Sequence, residues 1–256
     1  MDRKYREPLP TKVVVIIGDN FISEHLYSSF KRYSKLKPYI IKNINEIKKT
    51  PNFIIDCTFN ENLQNKSLQY SIKNNIDKIL LINHWKKNIN EYKNLKIIQA
   101  IVPDVYGKEH RSFTRPGSGN NYDSIISYCT FIGEAIRRIH EAKIGFIPNV
   151  YLTYGEDTVK FLHIDNLYQP VQHILDNINK ISEYEIYDEK KSVYSVIFAI
   201  KEIIEYGGQA IFENVKTIYN KPIPKLPINH RYNSFNYNIR NIYKYLIFNN
   251  ERFMFN

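Results

Sequence analysis

Five aliphatic residues in a row, Val13–Ile17, run into Gly18 and then into a helix-like stretch from Phe21 to Arg32. A short unbroken aliphatic run marks a strand buried on both faces, and such strands occur almost wholly in parallel sheets covered by helices on each side. The glycine supplies a turn between the two elements. The pattern then recurs. Tyr39–Ile41, Phe53–Ile55, Lys78–Ile82 and Lys96–Val102 read as further strands, and Gln64–Asn74 as a polar helix. Strands alternating with helical segments at this spacing predict an α/β fold built on a parallel sheet with helices on both faces.

Downstream the pattern loosens. Lys108–Tyr122 reads as a loop around Arg115–Gly119, and Ile125, Cys129, Ile132, Ile136 and Ile139 then recur at helical spacing. Thr158–Leu162 is a strand candidate leading into a helix over 166–177. Ser192 is a helix N-cap ahead of Val193, Val196, Ile197, Ile200, Ile203 and Ile204. A last helical stretch spans Ile239–Phe248, beyond Gly207 and Gly208.

A chain of 256 residues suffices for one α/β domain or for a core with a smaller lobe. The longest aliphatic run is far too short to cross a bilayer, and the charged N-terminus has no apolar segment of the signal-peptide kind. Together these point to a cytoplasmic protein with no membrane partner. Cys57 and Cys129 have no partner at metal spacing, so no metal site is expected. The net charge of +10 would suit a phosphate-bearing ligand. The basic residues are scattered along a sequence rich in Ile, Lys, Asn and Tyr, which disfavours a nucleic-acid partner, since such a binder gathers its charge in one stripe. P-loop and nucleophile-elbow motifs are absent.

Four segments carry a resemblance. Val15–Leu26 is similar to a strand, glycine turn and Phe-Ile-Gly-Ser-His-Leu helix opening, and Asn52–Thr58 to a strand ending in Asp-x-Val-x-His-x-Ala. Pro103–Gly107 is similar to Asn-Val-Tyr-Gly-Pro, and Lys160–Leu167 to Phe-x-His-Val-Asp-Asp-Leu. In this order they resemble the extended short-chain dehydrogenases/reductases, the nucleotide-sugar epimerases, dehydratases and reductases. The resemblance implies a Rossmann-type sheet with a small C-terminal substrate-side lobe. The core would be residues 1–107, with 146–177 returning to it; the lobe would be 108–145 and 178–256. It also implies NAD or NADP as cofactor, a nucleotide sugar as ligand, and leaves a homodimer open.

Carried over position by position, the resemblance assigns cofactor contact to Gly18, Asn20, Phe21, Ile22, Cys57, Thr58 and Asn83. Of the glycine fingerprint only Gly18 survives; Ile17, Asn20 and Ser23 hold the three expected glycine positions. Asn tolerates positive φ and Ser is small, so the turn remains feasible, and the helix N-terminus would still offer N–H groups to a phosphate. Lys42 stands where an acidic residue would hold the adenosine ribose, which would favour NADP over NAD.

The catalytic machinery departs further. The family uses a Ser or Thr after the fourth strand and a Tyr-x-x-x-Lys pair on a long helix, the lysine tuning the tyrosine for proton transfer beside the nicotinamide. Here the fourth strand runs into Asn83 and His84, and too few residues follow before the next strand for a full-length helix. Tyr92 and Lys96 match the spacing, but Lys96 abuts the fifth strand. Tyr106, His84 and Tyr92 are the remaining proton-carrier candidates. Substrate contact falls to Asp104, Lys108, Arg111, Arg115 and His163, the arginines because their forks suit phosphate oxygens. The sequence therefore supports a divergent NAD(P)-binding nucleotide-sugar enzyme with a rearranged site, or a pseudoenzyme serving as a binding or scaffold protein on the same fold. A nucleic-acid binder ranks below both.

Overall fold

The computed structural model describes residues 12–76, 78–83, 87–89, 92, 95–102, 104–106, 131–154, 158–178, 182–214, 225–226 and 234–248. The aliphatic runs form β1 (Val13–Ile17), β2 (Lys37–Ile41), β3 (Phe53–Asp56), β4 (Lys78–Asn83) and β5 (Ile97–Ile101). Shorter strands follow: β6 (Asp104–Tyr106), β7 (Val150–Tyr154), β8 (Thr158–His163), β9 (Ser182–Glu185), β10 (Glu189–Ser192) and β11 (Ala210–Asn214). The helices are α1 (Phe21–Tyr33), α2 (Glu61–Lys73), α3 (Ile132–Lys143), α4 (Tyr168–Asn177), α5 (Val193–Ile204) and α6 (Phe235–Phe248).

The core is a six-stranded sheet in the order β2-β1-β3-β4-β5-β9, with every neighbouring pair parallel. Successive side chains point to opposite faces. Val14, Ile16, Ile55, Leu80 and Ile82 pack under α1 and α4, whose Ile22, Leu26, Phe30, Val171 and Ile174 are fully buried. Val13, Val15, Ile17, Ile54, Ile79 and Leu81 face the other way, towards Leu68 of α2. Covering both faces is what lets these strands be aliphatic throughout.

The sheet stops at β2 for a local reason. The Lys37 amide donates to the Lys12 carbonyl and the Gly18 amide to the Ile41 carbonyl, both at 2.9 Å. In a parallel strand alternate residues bond to alternate sides, so Pro38 lies on the outward side. Having no N–H, it blunts the edge that a further strand would need. From β2 the chain returns through a 3-10 turn at Ile44–Glu46 to β3, on the other side of β1. The strand order therefore reverses at β1.

The link from β4 to β5 has no helical residue among those described between 84 and 96. Its described residues lie against the α2 face, with Ile89 and Leu95 buried and Tyr92 packed beside them. Gln99, fully buried in β5, holds it: its Oε1 accepts from the Lys87 amide at 2.8 Å and its Nε2 donates to the Lys87 carbonyl at 2.7 Å. One side chain thus supplies the ladder pairing that a neighbouring strand would have made.

A second apolar cluster joins α3, α5 and α6 to two small sheets, β10-β8-β6 and β11-β7. The segment 146–177 divides between the two clusters: Val150, Leu152 and Val159 belong to the lobe, whereas Leu162, Ile164 and α4 belong to the core. The boundary expected at residue 178 shifts as well, because β9 pairs with β5 and so belongs to the core sheet. Among the described residues no helix is long and apolar enough to cross a membrane, and no three His, Cys, Asp or Glu side chains cluster as metal ligands.

Candidate functional site

In an open parallel sheet the ligand crevice lies outside the carboxyl ends of the strands, where the strand order reverses. Here that place is the tips of β1 and β3, which carry Gly18 and Cys57. Gly18 has φ +152°, and a Cβ there would come within 3.1 Å of Ser23 Cβ and 3.2 Å of the Cys57 carbonyl. The position accepts no side chain without displacing these neighbours.

Asn20 caps α1. Its Oδ1 accepts from the Ser23 amide at 3.0 Å, the Ser23 hydroxyl accepts from the Asn20 amide at 3.1 Å, and Asn20 Nδ2 donates to the Cys57 carbonyl at 2.6 Å. The capping box thereby takes the amides of Asn20 and Ser23, two of the four that a helix start leaves over. The other two belong to Phe21 and Ile22, whose side chains are buried in the core beneath. These amides and the helix dipole are what the crevice offers to an anion. At its rim, Lys42 Nζ donates to Asp19 Oδ2 at 2.7 Å, joining the end of β2 to the glycine turn in a solvent-exposed pair.

The tip of β3 is polar but occupied. Cys57 is fully buried, and burial together with the neighbouring Asp56 pushes its thiol well above the usual range. Asp56 is fully buried too. Its Oδ1 accepts from the amide and hydroxyl of Thr58 at 2.9 and 2.7 Å, and its Oδ2 from the Ser67 hydroxyl of α2 at 2.6 Å. Desolvation still outweighs these bonds and raises the carboxyl above its ordinary value. Asn83 ends β4 on the face shared with Leu81 and pairs with Gln64 of α2, amide to amide, at 2.6 and 3.3 Å. Both are fully buried, so Asn83 is tied to the helix and not turned to the crevice.

The structure does not bring the remaining candidates together. Lys96 precedes β5 and its carbonyl accepts from Ile79 near the start of β4, which places it at the amino ends of the strands, opposite the crevice. Tyr92 is half-buried beneath the sheet face that α2 covers. Asp104 and Tyr106 lie on β6, beyond the carboxyl end of β5, in register with Phe161 and His163. His163 is buried; its amide donates to Asp188 at 2.7 Å and its ring lies 3.6 Å from Asp165, which in turn is 4.0 Å from His25 on α1. His84, Lys108, Arg111 and Arg115 lie outside the described residues. Sequence reasoning missed Gln64, Gln99 and Lys87. Gln99 alone carried a signal, as the single polar residue inside an aliphatic strand.

No family model and no curated sequence matches this chain. Solved structures do. A GDP-D-glycero-L-gluco-heptose synthase from Campylobacter jejuni, crystallised in the presence of NADPH, superposes with a TM-score of 0.63 at 13% identity, over 94% of this chain and 100% of that one. The chain has its fold. A GDP-L-fucose synthetase from Naegleria fowleri matches with 0.63 at 11% identity over 94% of each chain. A UDP-glucose 4-epimerase from Thermotoga maritima, with UDP-glucose, matches with 0.60 at 10% over 93% of this chain and 99% of its own. The likeness extends across core and lobe together, and at these identities it is one of fold.

Proposed function

We propose that this protein binds NAD(P) in the crevice between the tips of β1 and β3 and acts on, or recognises, a nucleotide sugar in the lobe beyond it. The observation that carries the reading is the reversal of strand order at β1, with the side-chain-free Gly18 and the α1 N-terminus both at that point. The residues fit a pyrophosphate: the amides of Phe21 and Ile22 would hold it, with Gly18 leaving room for its approach. Lys42 at the rim would favour a ribose 2′-phosphate, hence NADP. A bound dinucleotide would supply hydride transfer. The chain's own part is to place it and to offer hydrogen bonds to the substrate from β6 and the end of β8.

A second reading, a binding protein without catalysis, draws on the β4–β5 link. It is supported by the absence of a helical residue among those described in the link and by the place of Lys96 at the end of the sheet remote from the crevice, where a tyrosine–lysine pair would not reach it. Nicotinamide absorbance during incubation of the full chain with NADPH or NADP and a panel of GDP- and UDP-sugars separates the readings. Steady turnover supports the enzyme. Dinucleotide binding, followed by calorimetric titration, without turnover of any sugar supports the binding protein, and absence of dinucleotide binding sinks the cofactor claim and leaves a scaffold on the same fold.

A further inference from the structure

A sheet whose strands all run one way has two chemically different ends. The crevice occupies the carboxyl end; the amino end collects the starts of the strands and the finishes of the helices that connect them. In this core the amino end is basic. Lys12 and Lys37 stand side by side at the starts of β1 and β2, and Lys96 precedes β5. Lys31 and Arg32 close α1, and Lys73 closes α2. All six are exposed. Between Glu24 and Glu46 the sequence holds Lys31, Arg32, Lys35, Lys37 and Lys42 and no carboxylate. Asp176, which the same topology brings to this end on α4, accepts from Gln172 at 2.7 Å. With strands about 4.8 Å apart, the row from β2 to β5 spans roughly 19 Å, enough to track several phosphates of an extended strand.

Charges that are dispersed along the sequence are thus gathered by the fold. Each has a local explanation, since cations suit helix C-termini and lysines discourage edge pairing. Those explanations do not extend to the exposed rings beside them, of which Tyr33 also packs 5.8 Å from the Tyr168 ring of α4. Tyr33 is 64% exposed with the Arg32 guanidinium 5.3 Å from its ring, and Tyr39 is 42% exposed with Lys37 Nζ at 5.5 Å. Exposed rings beside cations, Tyr33 at the end of α1 and Tyr39 on the α2 side of the β2 edge, are the recognition chemistry of a single strand that wraps this edge, phosphates meeting the charges and bases stacking on the rings. We propose that the amino end of the sheet binds single-stranded nucleic acid, at a site separate from the dinucleotide crevice.

The test is fluorescence anisotropy of the full chain with a labelled oligothymidylate of about twenty nucleotides across a salt series, long enough to span the row with free ends. Single strands give a slope near −0.7 per phosphate contact in log affinity against log salt, so four to six contacts predict about −3 to −4. Lys35→Glu with Lys37→Glu is expected to weaken binding at least about tenfold and to flatten the slope by roughly 1.4. Tyr33→Ala with Tyr39→Ala is expected to weaken it about tenfold while leaving the slope. Lys190→Glu, on β10 in the other sheet, and saturating NADP should change neither. The proposal is overturned by salt-insensitive or absent binding, by undiminished binding in both folded double variants, or by capture on phosphatidylserine vesicles without capture of the oligonucleotide.

Discussion

Replacing Gln99 with Leu tests how a parallel crossover survives without a described helix. The substitution preserves volume to a first approximation and removes two short hydrogen bonds, leaving the amide and carbonyl of buried Lys87 without the partners that held them. An orphaned buried backbone group costs about 1–3 kcal/mol, and the added apolar surface of Leu returns about 1 kcal/mol. The net loss for the two groups is about 1–5 kcal/mol, which for a chain of this size lowers Tm by roughly 2–20 °C. Gln99→Glu keeps the acceptor for the Lys87 amide but loses the donor and buries a charge, so it should cost at least as much. Thermal unfolding by circular dichroism gives the total, and hydrogen exchange at the Lys87 amide gives the location. A Gln99→Leu protein with Tm within about 2 °C of the parent and an equally protected Lys87 amide would refute the claim that this residue holds the link.

Asp56 should make stability fall as pH rises. Its carboxyl holds its proton more tightly in the folded chain, so its favourable contribution is complete below the unfolded value near 3.8 and is lost as pH climbs through the raised folded value. Asp56→Asn, whose amide can still serve Thr58 and Ser67, should gain on the parent in urea unfolding as pH increases from 4 to 7; a gap that stays constant or narrows contradicts this. Asn20→Ala removes a helix cap and the bond to the Cys57 carbonyl and should cost about 1–3 kcal/mol in the same assay. Lys42→Asp should reverse cofactor preference, weakening NADP about fivefold or more while sparing NAD, as read by calorimetric titration; equal losses for both would remove Lys42 from the ribose site.

The core was legible because double-sided burial writes strands as aliphatic runs: β1, β3, β4 and β5 stand where those runs stand, and Ser192 caps α5 by accepting from the Ser195 amide at 3.1 Å. The short strands were not. Ser182–Glu185 and Glu189–Ser192 are half-buried or exposed at most positions and made of polar residues, so neither an aliphatic run nor a clear alternation marks them. At the candidate site the glycine turn and the helix opening were legible, because Gly18 and Phe21 lie together in sequence. Side-chain direction was harder to read. Asn83 shares the Leu81 side of its strand, which the period of two already dictates, and so meets Gln64 instead of the crevice. Lys96 matched a sequence spacing, yet a residue just before a parallel strand must lie at the end remote from the carboxyl-end crevice. The grouping of charge was hidden for the same reason: lysines far apart in sequence become neighbours only when all the strands start from one side.

Thermal unfolding of the full chain against increasing NADP and NAD bears most directly on the crevice between β1 and β3. A dinucleotide that binds only the folded state at a hundred times its dissociation constant adds about 2.7 kcal/mol, a rise in Tm of roughly 5–10 °C that grows with the logarithm of concentration. Such a rise is expected, larger for NADP than for NAD. A cooperatively folded protein whose Tm stays fixed at millimolar concentrations of both would contradict dinucleotide binding in this crevice.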